Sequence, residues 1–413
     1  MRVVHICTSL NGGAGLCASR IIQATKALGV DARAIVKEGQ EDEAVSVVRQ
    51  ASPWSGNWLF RKTQVLLSKT VQWPKYLYYE NKIPKERQKC HQTICFTSPI
   101  TPYTKLPEHP WIKDADIVHL HWIGDFVDYP SFFRQIDKPI VWTIHDENPG
   151  LGGFHYSLWK KEAPASFKRL DDQLMEIKRK AYKQVKKMTL VAISNQMKDF
   201  LHSELLCNFP IELIHNGIDR EAFCPIHHET AKSVLGIPAD SIVFLFSAQN
   251  INEERKGLKE LIAALEILNI PRTKLVCLGN FKKEPKASYE IRCEGFIPNH
   301  NLQSIYYSAA DFFMMPSFQE AFAQAPMEAM ACGTPVVAFP CSGTDSLINE
   351  GNGVVCDNFT CESLAKGIQQ ALRCCYDRDA IRQDLLKRFS YNIIARQYIQ
   401  LYNKIQKSTN SFK

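Results

Sequence analysis

A chain of 413 residues is longer than one ordinary hydrophobic core fills, so two or three domains are expected. Its hydrophobic fraction of 45% is that of a globular protein. No run of about 18 apolar residues occurs and no basic-then-apolar start is seen, which excludes a predicted membrane span and points to the cytosol. The formal charge of +7 is modest but uneven. Between residues 51 and 110, Arg61, Lys62, Lys69, Lys75, Lys82, Lys85, Arg87, Lys89 and Lys105 face only Glu80, Glu86 and Glu108. Trp54, Trp58, Phe60, Trp73, Tyr76, Tyr78 and Tyr79 interleave with them. Such a segment suits peripheral contact with an anionic membrane surface, a bulky polar acceptor, or a solvated insertion packed on its own domain. No nucleic-acid partner is implied. The fourteen cysteines, spread from Cys7 to Cys375 without a CxxC pair, read as free and largely buried thiols.

In chain order, the strand VVHICTS is followed by the turn NGGAG, a helix over about Leu16 to Leu28 and the strand ARAIVK. After the basic aromatic segment come ADIVHLHW and KPIVWTIHD, then a charged helix over about Leu170 to Met188 feeding LVAIS. Turn-rich IHNGID, from Ile214, suits a linker. A second series then runs through IVFLFSA, GLKELIAALEIL, KLVCLG, RCEGFI, NLQSIYYSAA, DFFMMP, PVVAF and GNGVVCD. Short β-branched runs alternating with amphipathic helices predict parallel sheets wound by helices. The expectation is two doubly wound, Rossmann-like domains, residues 1–213 and 214–390, with a closing helix within 391–413 returning to the first. Ligands of such sheets sit at the carboxyl ends of the strands, so an inter-domain cleft is the expected site.

Several residues in these positions carry chemistry. Gly12, Gly13 and Gly15 permit close backbone approach of a ligand at a helix start, although a tight turn alone explains them equally well. Arg255 and Lys256 stand before Gly257 at the start of a helix, where a diphosphate is well served by a bidentate Arg and a mobile Lys. His145 ends a strand, beside Asp146, and can exchange protons or hydrogen-bond a sugar hydroxyl. His119 and His121 close another strand with one residue between them; they are expected to face apart, a poor arrangement for joint metal ligation, and to serve as structural hydrogen-bonding groups. In PSFQEAFAQAPMEAMACGTPVV, Glu320 lies in a loop, and a helix from about Pro326 to Cys332 is capped by Gly333 and carries Glu328. Two carboxylates can hold neutral hydroxyls and the helix start can hold phosphate charge; a sugar nucleotide offers both.

That last stretch resembles the Glu-x7-Glu signature of the retaining glycosyltransferases of family 4, which have the GT-B fold. It matches through Pro316, Ser317, Glu320, Phe322, Glu328, Ala329, Met330 and Gly333 to Val337. DIVHLHW, TIHD, Ile193 to Asn195, IHNGID, RKG, AADFFMMPS and NGVV extend the likeness over nearly the whole chain. The resemblance implies transfer of a sugar from a nucleoside-diphosphate donor to a glycan or lipid-linked glycan acceptor in surface polysaccharide biosynthesis, without a metal or other cofactor. It places Glu328 on the donor ribose, Glu320 by the transferred sugar and its phosphate, Lys256 on the leaving diphosphate and His145 by the sugar near the reacting centre. Ala321, Phe322 and Ala323 would offer backbone amides, with Gly13, Arg255 and Phe296 completing the donor site. Gly12 and His155 would lie on the acceptor side, His155 within HDENPGLGGFHY, a stretch similar to bacterial polysaccharide-cluster members. The sequence departs from the pattern at Asn250, where an Arg is common, at Ala321 and Ala323, where glycines are usual, and at Asp345, where Glu is frequent. An inactive nucleotide-sugar-binding protein or an epimerase of the same architecture is the alternative.

Overall fold

The computed structural model describes residues 1–49, 75–90, 94–202 and 205–410. The chain divides into two compact units. One comprises Met1–Val191, Phe200–Glu212 and Leu401–Lys413, the other Ala192–Asp199 and Leu213–Gln400.

The first unit holds strands β1 (Arg2–Ser9), β2 (Asp31–Glu38), β3 (Val45–Val47), β4 (Ile117–Leu120), β5 (Ile140–Ile144), β6 (Met188–Ala192) and β7 (Ile211–Leu213). They form one sheet in the order β3-β2-β1-β4-β5-β6-β7. β1 runs parallel to β2 and β4, and β4 to β5. Six consecutive buried residues in β1 show a strand covered on both faces, the reason its sequence is continuously apolar rather than alternating. The chain winds outward to β3 and then returns to the other side of β1, so the strand order reverses between β1 and β4. Open α/β sheets accept ligands at such a reversal, outside the carboxyl ends of the strands.

The helix after β1 spans Gly12–Ala27, beginning four residues before the predicted Leu16. The glycines therefore form its first turn rather than a separate loop. A Cβ on Gly15 would lie 2.4 Å from the carbonyl oxygen of Ser9, so only glycine lets this turn close back onto the strand. The charged helix predicted over Leu170 to Met188 lies instead at Ala165–Tyr182, because the extended Pro164 starts it and Met188 already opens β6. Within the basic aromatic segment, the helix Lys75–Arg87 packs Tyr79 and Ile83 against Phe96, Phe154, Trp159 and Phe167. Trp54, Trp58, Phe60, Arg61, Lys62, Lys69 and Trp73 lie outside the described residues.

The second unit repeats the plan with β8 (Ile242–Asn250), β9 (Thr273–Asn280), β10 (Glu290–Gly295), β11 (Phe312–Met315), β12 (Val336–Ala338) and β13 (Gly353–Val355). All neighbours are parallel, in the order β10-β9-β8-β11-β12-β13. Here the order reverses between β8 and β11. The helix Leu258–Leu268 buries Leu258, Leu261, Ala264 and Leu265 at helical spacing. The helix Cys361–Leu372, whose first turn is capped by the Thr360 hydroxyl accepting from the Ser363 amide, adds Leu364, Ile368 and Ala371 to the same core. The helix of the Glu-x7-Glu stretch spans Gln324–Ala331, two residues earlier at its start than expected, and Gly333 beyond it takes a left-handed φ of 81°. The closing helix spans Tyr391–Asn410. No helix among the described residues is long and apolar enough to cross a membrane. All fourteen cysteines are free; Cys7, Cys277 and Cys332 are buried and Cys374 and Cys375 exposed.

Candidate active site

In the second unit the two loops that leave the reversal point are locked together. Gly257 has φ 73°, and a Cβ there would lie 1.9 Å from the Pro316 carbonyl oxygen, so the loop after β8 abuts the loop after β11. The Phe318 amide donates to the Arg255 carbonyl at 2.9 Å. This contact brings distant sequence together: Lys256 Nζ donates to Glu320 Oε1 at 2.6 Å, and Arg255 Nη1 stands 3.3 Å from the same oxygen. Arg255 is also held by Glu253 at 2.8 Å and donates to the Gln319 carbonyl. Burial would push the Glu320 carboxyl up, but the charges of Lys256 and Arg255 outweigh it and hold the group down at about 2. The site therefore presents two cations that share the Glu320 carboxylate, with Glu253 as a second partner of Arg255.

Glu328 lies on the helix Gln324–Ala331 and accepts from the Tyr307 hydroxyl at 2.8 Å. First-turn amides of an α-helix lack intrahelical acceptors, so this helix directs donors toward the Ala321–Ala325 stretch. The carbonyls there are tied back: Ala321 accepts from Ser342 Oγ at 2.9 Å and Phe322 from Asn216 Nδ2 at 3.4 Å. Phe322 itself is buried, its ring tilted over His215 with centroids 5.2 Å apart. Among the departures, Asn250 Oδ1 caps the Asn252 amide and Asp345 accepts from Asn195 Nδ2 at 2.9 Å. Phe296, after β10, is 60% exposed and stands apart from the Lys256–Glu320 pair in the sheet order.

In the first unit the corresponding reversal is lined by imidazoles. His5 of β1 pairs in register with His119 of β4, and His145 follows β5. The expectation that His119 and His121 face apart is wrong. Alternation along a strand returns residues i and i+2 to the same side, and their rings lie with centroids 4.2 Å apart. With His5, their ligand-capable atoms fall within 4.8 Å of one another, a grouping that could hold a metal ion. Both nitrogens of His119 and of His121 are nonetheless engaged in hydrogen bonds, as expected of structural histidines, while His5 Nε2 has no partner among the described residues. His119 Nδ1 meets the Tyr402 hydroxyl at 2.6 Å and its Nε2 the Thr143 hydroxyl at 2.8 Å. His121 Nε2 meets His5 Nδ1 at 2.9 Å and its Nδ1 meets His145 Nε2 at 3.2 Å. Burial keeps all four rings neutral, lowering His5 to about 3 and His145 to about 4.

His155 is buried, and both its nitrogens are used: Nδ1 donates to Asp146 at 2.6 Å and Nε2 meets the Thr97 hydroxyl at 3.0 Å. Burial disfavours its charge, yet the Asp146 carboxylate prevails and raises it to about 10. Asp146 also accepts from Trp122 Nε1 at 2.8 Å. Gly12 (φ 74°) and Gly13 open onto free space, with nothing within 4 Å of an added Cβ. Sequence reasoning missed His5, Trp122 and Tyr307. The β1–β4 register would have revealed His5, had the two strands been aligned.

Two family models match, one described as Glycosyltransferase Family 4 over residues 98–222 and one as Glycosyl transferases group 1 over residues 228–392. An uncharacterized glycosyltransferase of Methanocaldococcus jannaschii is 25% identical over 316 residues, 70% of this chain and 76% of its own length. A putative teichuronic acid biosynthesis glycosyltransferase of Bacillus subtilis is 25% identical over 260 residues, 61% of this chain and 60% of that one. A D-inositol 3-phosphate glycosyltransferase of a Nocardioides species is 25% identical over 221 residues, so the match spans about half of each, 47% and 48%. Among solved structures, sucrose-phosphate synthase from Thermosynechococcus elongatus superposes with a TM-score of 0.67 at 18% identity, covering 99% of this chain and 100% of that one. HepE of Anabaena, solved with UDP-glucose, gives 0.64 at 16% identity, covering 98% and 100%. At these identities the structures speak to the fold, which is GT-B: two Rossmann-like domains, each a parallel sheet wound by helices. With that fold and both family models in agreement, the chain belongs to the group 1, family 4 glycosyltransferases and is a transferase of glycosyl groups.

Proposed function

We propose that this enzyme moves a sugar from a nucleoside-diphosphate donor to a glycan or lipid-linked glycan acceptor, with retention of anomeric configuration, in the assembly of a surface polysaccharide. One observation carries the reading: Lys256 and Arg255 converge on Glu320 at the reversal of the second sheet, where an α/β fold takes its ligand. A diphosphate competes with the carboxylate for those cations, which already stand together before it arrives. The crystallised complex of HepE with UDP-glucose and the teichuronic acid name of the Bacillus relative favour the donor class and the pathway type.

In this reading Lys256 and Arg255 stabilise the departing diphosphate, Glu328 hydrogen-bonds the ribose, Phe296 offers an exposed ring to the base, and amides of Ala321 to Ala323 bind sugar or phosphate oxygens. Glu320 lies against the transferred sugar and orients Lys256. The Gly12–Gly13 turn admits a ligand at the helix start, and His145 hydrogen-bonds a sugar hydroxyl. His155 acts through Asp146, by fixing the loop that shapes the acceptor pocket. The acceptor hydroxyl attacks the anomeric carbon on the face that the diphosphate leaves; the carbon–oxygen bond to phosphate breaks and the acceptor proton passes to the departing phosphate oxygen. In this reading the chemistry needs no metal. Incubation with UDP-, GDP- and ADP-sugars and glycan acceptors, with and without EDTA, tests this by NMR of the product. Retained configuration at unchanged rate in EDTA is expected; an inverted product, or loss of activity in EDTA, refutes that part of the reading.

A further inference from the structure

His5, His121 and His145 form a chain of imidazoles that ends at the candidate sugar-binding histidine. His5 Nδ1 lies 2.9 Å from His121 Nε2, and His121 Nδ1 lies 3.2 Å from His145 Nε2. His5 and His121 are buried, while His145 is partly exposed. Each neutral imidazole carries one N–H, so two such contacts can be satisfied in only two ways, with every hydrogen pointing along the chain in one direction or the other.

The far end of the chain decides between them. His5 Nε2 is buried and has no hydrogen-bond partner among the described residues. If the hydrogens pointed from His145 toward His5, this atom would carry a buried N–H with no acceptor, the arrangement that folded proteins avoid most strictly. With the hydrogens pointing the other way it holds only an unused lone pair, which is the lesser penalty. His5 Nδ1 then donates to His121, His121 Nδ1 donates to His145 Nε2, and the hydrogen of His145 is left on Nδ1.

We infer that His5 and His121 are positioning residues that fix His145 as its Nδ1–H tautomer, making it a neutral donor to a sugar oxygen and not a proton acceptor. The inference rests on the proposed function only in naming a sugar oxygen as the group addressed. It narrows what His145 does: with Nε2 consumed by His121, its exposed edge offers one hydrogen and no lone pair. Burial, which depresses the basicity of all three rings, keeps the chain from gaining a proton near neutral pH.

The test is a multiple-bond proton–nitrogen NMR spectrum of the full chain labelled with 15N-histidine at pH 7.5, with His145 assigned by the loss of its signals in His145→Gln. The expected pattern places the hydrogen of His145 on Nδ1. A hydrogen on Nε2, or a mixture of tautomers, overturns the inference. Two further variants separate positioning from packing. His5→Asn keeps an amide donor near the place of Nδ1, whereas His5→Leu removes it. His5→Leu is expected to show mixed His145 tautomers and to lose about tenfold in kcat with little change in KM for the donor, with His5→Asn restoring most of it. Equal loss in both variants with an unchanged tautomer would mean that His5 only fills space. Because the spectrum needs no substrate, an Nδ1–H signal without transfer from any nucleotide sugar would sink the functional reading alone.

Discussion

The two sheets reverse at the same topological point and furnish it with opposite electrostatics. In the second unit the reversal carries Lys256, Arg255 and Glu320, in ion-pair contact. In the first it carries His5, His121 and His145, joined by hydrogen bonds, and His119, bonded to Thr143 and Tyr402, with burial lowering the basicity of all four. Both are buried networks with most polar groups satisfied, so the contrast concerns what each can exchange for a ligand. In the proposed reading the charged cluster exchanges its internal carboxylate for a phosphate, and the imidazole chain meets a hydroxyl. One fold thus places a cluster of charged side chains and a cluster of imidazoles at equivalent positions.

The comparison breaks most completely at Glu320. Glu320→Gln is expected to lower turnover by about a hundredfold or more while the thermal transition stays cooperative; near-normal turnover would remove the carboxylate from the mechanism. Next comes Lys256→Met, which should weaken nucleotide binding by about 1.5 to 3 kcal/mol, on the order of ten- to a hundredfold in Kd, as for loss of a charge-assisted contact. Unchanged affinity would shift the diphosphate contact to Arg255.

Stability against pH sharpens the contrast further. Glu320 is held at about 2 against an ordinary 4.5, so its contribution is complete above pH 4.5 and is lost as the pH falls toward 2. The neutral histidines are depressed from 6.5, His145 to about 4, so their contribution is complete above 6.5 and is lost as the pH falls toward 4. His155 is raised from 6.5 to about 10, so its contribution is complete below 6.5 and is lost as the pH rises toward 10. Limited proteolysis at pH 5 should therefore cut the first unit before the second. Simultaneous cleavage of both, or attack on the second first, would contradict this assignment of charge states.

The smallest effect separates fold from site within one turn. Gly15→Ala forces a Cβ against the Ser9 carbonyl oxygen and should destabilise by about 1 to 3 kcal/mol. Gly13→Ala meets nothing within 4 Å and should leave the melting temperature within a degree or two, so any loss of activity there reports on ligand approach. Equal destabilisation by both would mean that the turn is packed more tightly than its glycines indicate.

The asymmetry also governs what could be read from sequence. The charged contact of the second unit is built from two short contiguous stretches, ERKG and PSFQEAFAQAPME, whose residue types announce charge and close backbone approach. Both doubly wound sheets were equally legible, because buried parallel strands need continuous β-branched runs and their helices need a 3.6-residue period. The imidazole chain was not legible: it depends on the register that sets His5 of β1 beside His119 of β4, across 114 residues, and on period-2 alternation correctly applied to His119 and His121. Helix boundaries slipped for local reasons. Residue type alone makes Gly12 to Gly15 a turn, yet these small residues are what allow the helix to start against β1. His155 was read as facing an acceptor, and its partners Asp146 and Thr97 come from loops whose meeting no spacing rule reveals.

The central claim is that a nucleoside diphosphate sits on Lys256 and Arg255. Calorimetric titration of UDP, GDP and ADP into the wild-type chain and into Lys256→Met, in EDTA, tests it most directly. The account predicts that one base binds the wild type and loses at least about tenfold in affinity in the variant. No binding by any of the three, or equal affinity in both proteins, would contradict it.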